Sequence, residues 1–329
     1  MDNIITVEHL VKDYITYKRG GTAHEVLKSL FRREKVPVHA VADISFTVSE
    51  GDMVSILGPN GAGKSTVIKM LTGVLVPTSG DIRVMTYTPS KERARYVAHI
   101  GAVFGQKSQL IWDIPPVDAF LMNKAIYDIP EATYKQNLAV MTELFEVGDI
   151  MCKPTRVLSL GERMKCEFIM AMLHSPRVVF LDEPTIGLDL LAKDNIRAFI
   201  REMNRRGTTF VLTSHDVEDV VRLARQVIII NNGKKVFDNS LTALKHHLGE
   251  KKTIHLTMTQ PISSLELAGV TVTERLSDYE VRLLVDNEIL PIPQFIEQLH
   301  TVGEIADIAI KEQDVEDVMK AIYRAESNA

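Results

Sequence analysis

The sequence predicts an α/β protein with a largely parallel sheet, followed by a smaller α+β unit. Three observations support this prediction. A glycine-rich loop joins a strand to a helix at 58–66, apolar strands follow at 177–184 and 208–216, and the character of the sequence changes near residue 250. Short apolar runs bounded by turn signals are typical of strands that are buried on both faces. The 329 residues suffice for one large domain and a smaller one.

The composition restricts the classes of function. Hydrophobic residues make up 45% of the chain and charged residues 25%, the usual balance for a globular protein. The net charge of −5 argues against a nucleic-acid partner, which favours a basic face. We find neither a signal-peptide pattern nor an apolar run of about 18–20 residues, so we expect a cytosolic protein that reaches a membrane only through a partner. Cys152 and Cys166 lack metal-ligand spacing and are expected to be reduced thiols.

The first 60 residues predict strands that are separated by an insert. "IITVEHLVKDY" alternates as a strand does, and "AVADISFTVSEGDMVSILG" predicts two strands around a Glu-Gly turn. Between them, residues 16–39 carry six Lys or Arg against two Glu, a local charge of +4. Four apolar residues of this insert share one face of a predicted helix: Val26, Leu27, Leu30 and Phe31.

The rest of the chain alternates helices and strands. Residues 74–105 predict short strands with turns, 116–150 predict helices, and Asn232-Gly233 between apolar runs is a strong hairpin signal. Past a boundary placed at 248–251, "KKTIHLTMTQ" and "YEVRLLVD" predict strands, and "PIPQFIEQLH" and "VEDVMKAIYRA" predict helices. The predicted domains are therefore 1–248 and 249–329.

The stretch "GPNGAGKST" (58–66) matches the pattern G-x-x-x-x-G-K-[ST] of a P-loop, between a strand and a helix. Its glycines let backbone N–H groups curl around phosphate oxygens, and the helix that follows adds the positive end of its dipole. Lys64 supplies a charge for the β- and γ-phosphates, Ser65 offers a hydroxyl to Mg²⁺, and Thr66 adds a donor. The predicted phosphate-binding residues are Gly58, Pro59, Asn60, Gly61, Ala62, Gly63, Lys64, Ser65 and Thr66.

Two adjacent carboxylates end the buried strand "VVFLDEP", 118 residues after Lys64. A P-loop enzyme needs an acid at such a strand end to hold Mg²⁺, often through water, and Asp182 fits. Glu183 is the natural base or orienting group for an attacking water. An isolated Asp-Glu pair is more often a solvated turn, but its place behind a P-loop favours catalysis.

Two further polar residues have a predicted place beside the phosphates. His215 in "LTSHD" closes the next strand, where its imidazole can reach the γ-phosphate and the water. Gln106 in "VFGQKSQL" has an amide that can accept from a Mg²⁺-bound water and donate toward the attacking water. Gln106 alone would be interpreted as a polar loop residue, but its position ahead of the helical stretch 116–150 favours a coupling role.

The stretch "VLSLGERMKCE" (157–167) contains Ser159 and Glu162 in a Ser-x-x-Glu pattern. This pattern is a capping box, which opens a helix. A helix start presents unpaired N–H groups and a partial positive charge, so it is also suited to binding phosphate.

Together, "GPNGAGKST", "VFGQ", "LSLGE", "VVFLDEPTIGLD" and "TSHD" resemble, in this order, the nucleotide-binding subunit of an ABC transporter over residues 3–248. More narrowly, "VFGQKSQLIWDIP", "LSLGERM" and "EPTIGLDLLAKDNIR" resemble the ATPase subunits that serve ABC-2 type export permeases. The resemblance implies a P-loop NTPase (RecA-like) core with an antiparallel β subdomain and a helical subdomain at about 107–170. It also implies ATP and Mg²⁺ as ligands.

The same resemblance implies a dimer, favoured here as a homodimer, that sandwiches two ATP molecules head to tail. Ser159 and Gly161 would contact the γ-phosphate held by the other subunit, and Asp189 of the D-loop would lie at the same interface. Tyr14 is the candidate for stacking on adenine, with Tyr17 as its rival. The implied Mg²⁺ ligands are Ser65, Gln106 and Asp182. The implied catalytic residues are Lys64, Gln106, Glu183 and His215.

Three features depart from the family pattern. The insert 16–39 is longer than usual, and docking on the permease, contact with acidic lipid headgroups and simple covering of the sheet are all open. The segment after residue 250 lies outside the ATPase core, with a role in dimerisation or regulation open. The signature is "LSLGE" rather than "LSGGQ", so Leu160 has to point away from the nucleotide and Glu162 has to fold back onto the Ser159 N–H. Trp112 is expected to pack the Gln106 loop onto the helical stretch.

We therefore expect an ATPase subunit, peripheral on the cytoplasmic face of the membrane, that dimerises on ATP and energises an ABC-2 type permease. The cargo would be a small molecule, drug, lipid or polysaccharide that is exported. The alternative is a soluble ABC-type ATPase that acts on ribosomes or DNA, but such proteins usually carry two cassettes or long inserts. A non-enzymatic regulatory module is disfavoured by the intact Glu183 and His215.

Overall fold

The computed structural model describes residues 3–17, 35–105, 107–245, 251–262, 265, 267–312, 315, 318, 319 and 322. The chain divides into two compact units, Met1–Asn239 and Ser240–Ala329. The division falls about nine residues ahead of the boundary at 248–251 that the sequence indicates. The short helix Leu241–Lys245 consequently lies in the second unit.

The first unit alternates strands and helices after an initial hairpin. Its strands are β1 (Asn3–Tyr17), β2 (Lys35–Ser49), β3 (Met53–Leu57), β4 (Ser79–Val84), β5 (Ile100–Phe104), β6 (Val178–Asp182), β7 (Thr209–Ser214), β8 (Gln226–Asn231) and β9 (Lys234–Ser240). Its helices are α1 (Lys64–Leu71), α2 (Arg93–Tyr96), α3 (Pro116–Ile126), α4 (Glu131–Phe145), α5 (Leu160–Met172), α6 (Leu190–Arg205) and α7 (Val217–Leu223). The mixed α/β architecture confirms the predicted fold class.

A six-stranded sheet in the order β5-β6-β7-β3-β8-β9 forms the centre of this unit. Strands β5, β6, β7, β3 and β8 pair in parallel. Every residue of β3 is buried, and β6 sends Val178 and Phe180 into one apolar cluster and Val179 and Leu181 into another. Both faces of the sheet are therefore covered, as the continuous apolar runs predict.

A three-stranded antiparallel sheet, β2-β1-β4, shares an apolar core with α1 and one face of the central sheet. Strands β1 and β2 are longer than the sequence predicts, since their pairing continues from Tyr14↔Val38 to Tyr17↔Lys35. The two ends of the predicted insert therefore belong to strands β1 and β2. Its predicted helical face lies outside the described residues.

The other face of the central sheet packs on helices α3 to α7. Phe145 of α4 stacks on Phe199 of α6 with ring centroids 4.2 Å apart, and Phe168 of α5 packs against both rings. The helices predicted within 116–150 are thereby confirmed as α3 and α4. In the part of the chain that the structure describes, none of the helices has the length and apolar character needed to span a bilayer.

The second unit is a small α+β structure. Helix α8 (Leu241–Lys245) is followed by strands β10 (Lys251–Met258), β11 (Val270–Arg275) and β12 (Glu280–Asp286), helix α9 (Ile292–Val302) and strand β13 (Ile305–Glu312). The strands form an antiparallel sheet in the order β11-β12-β10-β13, and Phe295 and Leu299 of α9 lie in its core. The sequence predicts β10, β12 and α9 but neither of the edge strands β11 and β13. The residues of β11 are mostly exposed and carry no alternating burial signal. Most of "VEDVMKAIYRA" lies outside the described residues.

The two cysteines are both free, but they differ in exposure. Burial raises the pKa of the Cys166 thiol to about 12, whereas Cys152 is exposed. Because only the thiolate is nucleophilic, iodoacetamide at neutral pH is expected to alkylate Cys152 in the folded protein and to leave Cys166 unmodified until urea is added. Peptide mass spectrometry distinguishes the two sites. Equal labelling of both thiols in the folded state would contradict the packing of α5.

Candidate functional site

The site lies at the carboxyl end of β3, where the loop 58–63 leads into α1. Two of its glycines have no space for a side chain: a Cβ on Gly58 would lie 2.2 Å from the carbonyl oxygen of Ile230, and one on Gly63 2.4 Å from that of Ala40. Gly63 also adopts φ +107°, a conformation that L side chains rarely take. The loop is therefore pressed against β2 and β8.

Lys64 is the first residue of α1, and its side chain is folded back over the loop. Its Nζ donates to the carbonyl oxygens of Gly58 at 2.7 Å and Pro59 at 3.1 Å, and the residue is only 4% exposed. Burial lowers the pKa of Lys64, while the nearby charges of Glu183 and Asp182 oppose that shift. Among the residues that the structure describes, the direct partners of the ammonium are neutral acceptors, an arrangement suited to receiving an anion.

Asp182 joins the P-loop helix to the neighbouring strands. Its Oδ1 accepts from Ser65 Oγ at 2.9 Å and from Thr213 Oγ1 at 2.7 Å. Thr213 reaches it because β6 and β7 pair in register, with Asp182 opposite Thr213. Carboxylate and hydroxyl oxygens are the ligands that Mg²⁺ prefers, so the donors present fit this ion. Thr213 was not predicted, although its place in "LTSHD" beside the strand of Asp182 would have indicated it.

Glu183 is held in a left-handed backbone conformation, φ +52°, which is uncommon for a residue other than glycine. Its N–H donates to the carbonyl oxygen and the Oγ1 of Thr213, both at 3.1 Å. Gly105 makes room for this bend, since a Cβ there would lie 2.2 Å from the Glu183 carbonyl oxygen. The Nδ1 of His215 lies 3.6 Å from Glu183 Oε2, too far for a direct hydrogen bond. Such strain at a polar strand end is typical of functional sites.

Several of these residues line one cavity of about 430 Å³, whereas the predicted residues Gly58, Pro59 and Asp182 lie outside its lining. Its lining residues are Ala40, Asn60, Gly61, Ala62, Gly63, Lys64, Ser65, Thr66, Glu183, Ile186 and His215. Ala40 and Ile186 were not predicted, because their approach depends on the packing of β2 and of the segment after β6. The structure therefore brings the predicted loop, Glu183 and His215 together.

Other predicted residues do not line this cavity. Tyr14 is 38% exposed on β1, with Lys12 Nζ 5.6 Å from its ring centroid. The side chain of Tyr17 and the whole of Gln106 lie outside the described residues. The adenine and Gln106 assignments thus stay predictions.

The capping box at Ser159 is confirmed. Ser159 Oγ accepts from the Glu162 N–H at 3.2 Å, and Glu162 Oε2 accepts from the Ser159 N–H at 2.8 Å. Hydrogen bonds that the Glu162 carboxylate accepts from Ser159, first from its backbone N–H and then from its hydroxyl, lower the pKa of Glu162. Ser159 itself is exposed and lies apart from the cavity lining. The carboxylate of Glu162 is therefore folded back, as the capping pattern predicts.

The residues after Ser159 pack on the D-loop segment of their own chain. A Cβ on Gly161 would lie 3.0 Å from the Ala192 Cβ, and one on Gly187 would lie 3.2 Å from Leu160 Cδ2. Asp189 caps α6 by accepting from the Ala192 N–H at 2.8 Å. Gly161 thus has an intrachain reason for lacking a side chain, beyond the predicted approach to a nucleotide.

A buried ion pair supports the segment that follows His215. The Arg197 side chain is fully buried, and its Nη2 lies 2.6 Å from Asp219 Oδ1. Asp219 also accepts from Ser214 Oγ at 3.0 Å, directly before His215. Lys193 adds an ion pair to Asp216 at 2.6 Å, directly after it. Helix α6 therefore fixes the backbone on both sides of His215.

Comparison with known proteins agrees with the geometry. The sequence profile of the ABC transporter family matches residues 41–186. The ABC transporter ATP-binding protein NatA of Bacillus subtilis (strain 168) is 31% identical over 214 residues, which cover 65% of this chain and 87% of NatA. The linearmycin resistance ATP-binding protein LnrL of the same organism is 29% identical over 249 residues, which cover 75% of this chain and 79% of LnrL.

Among solved structures, an ATP-binding cassette in a dimeric post-hydrolysis state bound to ADP and Pi is similar in fold. Its TM-score is 0.60 at 20% identity, and the match covers 72% of this chain and 98% of that one. At this level of identity the likeness establishes the fold alone.

The support behind His215 is testable through stability. Replacing Arg197 with Met leaves Asp219 buried without its cation, so Arg197→Met is expected to destabilise the protein by about 3–5 kcal/mol. The matched control is Arg205→Met on the same helix, whose side chain is 74% exposed, with an expected change within about 0.5 kcal/mol. Urea unfolding followed by circular dichroism measures both. Equal midpoints for the two variants would contradict the structural role of the buried pair.

Proposed function

This chain belongs to the ATP-binding subunits of ABC transporters, and we propose that it is the ATPase of an ABC-2 type export system, with each active site shared between two copies. The observation that carries the proposal is the division of functional groups within one chain. The P-loop, Glu183 and His215 share a cavity, whereas the exposed capping box at Ser159 lies outside it. A second copy, related by symmetry, would complete each site with its own Ser159.

The cavity is suited to the phosphates of ATP. Backbone N–H groups of the loop and the N-terminus of α1 point a partial positive charge at any anion bound there. Lys64 would exchange its carbonyl partners, Gly58 and Pro59, for oxygens of the β- and γ-phosphates. The buried position of Lys64 strengthens this attraction, because screening by water is weak there.

Ser65 and Asp182 would hold Mg²⁺, either directly or through water, and Thr213 keeps the carboxylate in place. When bound, the ion neutralises charge on the phosphates. Gln106 is proposed to complete this set from the loop that follows β5.

Hydrolysis is proposed to depend on Glu183. Its carboxylate accepts a hydrogen bond from the attacking water and takes a proton as the oxygen–phosphorus bond forms. The bond between the γ-phosphorus and the bridging oxygen breaks, and ADP and phosphate leave. His215 is proposed to hold the γ-phosphate beside Glu183, and Lys64 stabilises its charge. The left-handed backbone of Glu183 is proposed to aim its side chain at this point.

In the proposed dimer, Ser159 and the first turn of α5 face the γ-phosphate of the partner's ATP. The first N–H groups of a helix have no intrahelical acceptor and can therefore donate to phosphate. Because the Glu162 carboxylate accepts a hydrogen bond from the Ser159 N–H, its negative charge is turned back toward its own helix. The dimeric state of the similar cassette bound to ADP and Pi supports two copies.

The transport role is proposed from the relatives. NatA is an ABC transporter ATP-binding protein and LnrL serves linearmycin resistance, which favours export of a small molecule, drug, lipid or polysaccharide. We place the chain on the cytoplasmic face of the membrane, held there by its permease. The alternative, a soluble ABC-type ATPase on ribosomes or DNA, has no particular support in the site.

The proposed base is testable by Glu183→Gln. The amide cannot take the proton, so hydrolysis is expected to fall by about a hundredfold or more while ATP binding persists. Size-exclusion chromatography with MgATP should then show a stable dimer. The control is Glu50→Gln, an exposed carboxylate paired with Arg177, which should hydrolyse ATP as the wild type does. Hydrolysis at the wild-type rate by Glu183→Gln would refute the assignment.

The proposed partner is testable by native purification. A tagged chain extracted from membranes in mild detergent is expected to bring along an integral membrane protein, identified by mass spectrometry. Stimulation of the ATPase by that protein would confirm the coupling. Recovery of the chain with ribosomes or DNA, and with no membrane protein, would favour the alternative.

A further inference from the structure

Glu167 is a buried carboxylate that the proposed mechanism does not use. It lies on α5 and is 3% exposed. It accepts hydrogen bonds from three successive residues of the segment after β5: the Ser108 hydroxyl, the Gln109 N–H at 2.9 and 3.1 Å, and the Leu110 N–H at 3.3 Å. Burial raises the pKa of Glu167, which these bonds partly offset.

If this position served only helix packing, burying an apolar side chain would cost less free energy than burying a carboxylate. The neighbours Phe168 and Ile169 are fully buried, and burying a carboxylate among such groups is unfavourable unless its lone pairs are satisfied. Here the partners are a hydroxyl and backbone N–H groups of a loop, which would otherwise lie next to α5 without an acceptor. The carboxylate therefore fixes the loop rather than the helix.

Further contacts continue along the same loop, residues 108–114. The Arg163 guanidinium lies 5.5 Å from the centroid of the Trp112 ring. Arg156 donates its N–H to the Trp112 carbonyl oxygen at 2.9 Å and pairs with Asp113 at 2.8 Å. The loop is thus attached to the start of α5 and to the turn before it, and Glu167 is the buried member of this set.

We propose that Glu167 is a positioning residue that locks loop 108–114 to helix α5, so that the loop moves together with the Ser159 end of the helix. Glu167 lies eight positions after Ser159, which corresponds to a rise of about 12 Å along the helix. Contact between Ser159 and phosphate would therefore displace the loop as well. This inference rests on the proposed function, because it requires Ser159 to meet the nucleotide of the partner.

Trp112 provides the measurement, because it is the only tryptophan in the chain and is 54% exposed. The experiment uses the full chain carrying Glu183→Gln, so that added MgATP stays bound. Its tryptophan emission is expected to change on ATP binding. Adding Glu167→Leu, which leaves two N–H groups without an acceptor, should reduce this change by about fivefold or more. Affinity for ATP should stay within about twofold, because no phosphate-binding residue is altered.

Two variants separate positioning from general loosening. Glu167→Gln should keep the emission change, because its amide oxygen can accept from the Ser108, Gln109 and Leu110 donors as Oε1 does. Asn123→Leu removes another buried bond to α5, from Asn123 Nδ2 to the Met170 carbonyl oxygen at 2.8 Å, without touching the loop. It should also keep the change. If Asn123→Leu reduces the ATP-induced change in Trp112 emission as much as Glu167→Leu does, the proposal is overturned.

Ser108→Ala provides a second test in case the Glu167→Leu variant does not fold. Ser108 is exposed, so the substitution removes one contact to Glu167 without opening the core, and a reduction of about twofold is expected. The proposal is overturned if the ATP-induced change in Trp112 emission is undiminished in both Ser108→Ala and Glu167→Leu. It is also overturned if the Glu183→Gln chain binds ATP without any change in Trp112 emission. If the Glu183→Gln chain binds no ATP, the result contradicts the proposed function itself and is distinct from a failure of this inference.

Discussion

The two hydrogen bonds that Asp182 accepts, from Ser65 and Thr213, hold the site together. They connect α1, β6 and β7 at the carboxyl edge of the central sheet. Because β7 lies between β6 and β3 in the strand order, the ends of all three strands converge there. Ser65 of this junction also lines the cavity that Lys64, Glu183 and His215 share. The ligand groups of the proposed Mg²⁺ site and the structural junction are thus the same atoms.

Sequence patterns predicted the fold class and two residues of this junction, Ser65 and Asp182, because both depend on local signals. A glycine-rich loop between strand and helix, and polar residues directly after buried strands, indicate where each chain segment ends. Parallel strands bring those ends to one edge. Thr213 and Ala40 were missed since their contributions depend on pairing and packing between distant segments. The edge strands β11 and β13 were also missed, and β11 shows no alternation because its residues are mostly exposed.

The capping box stabilises the start of helix α5 and also determines where the carboxylate of Glu162 points. Ser159 and Glu162 satisfy each other's backbone N–H groups, which stabilises the start of α5 and turns the carboxylate aside. The same helix packs its first residues on the D-loop segment and binds loop 108–114 through Glu167. A helix constrained at three points along its length is suited to carry a displacement from the nucleotide to loop 108–114.

The central claim is that Ser159 completes the site of the partner, and mixing two inactive variants tests it most directly. Lys64→Ala removes the phosphate-binding charge of a chain, and Ser159→Arg blocks its signature helix. If Ser159 acts across the interface, a mixed dimer contains one intact site, and an equal mixture should recover about a quarter of the wild-type ATPase rate. If Ser159 acts within its own chain, no mixed dimer has an intact site. A mixture that stays as inactive as its components would contradict the account.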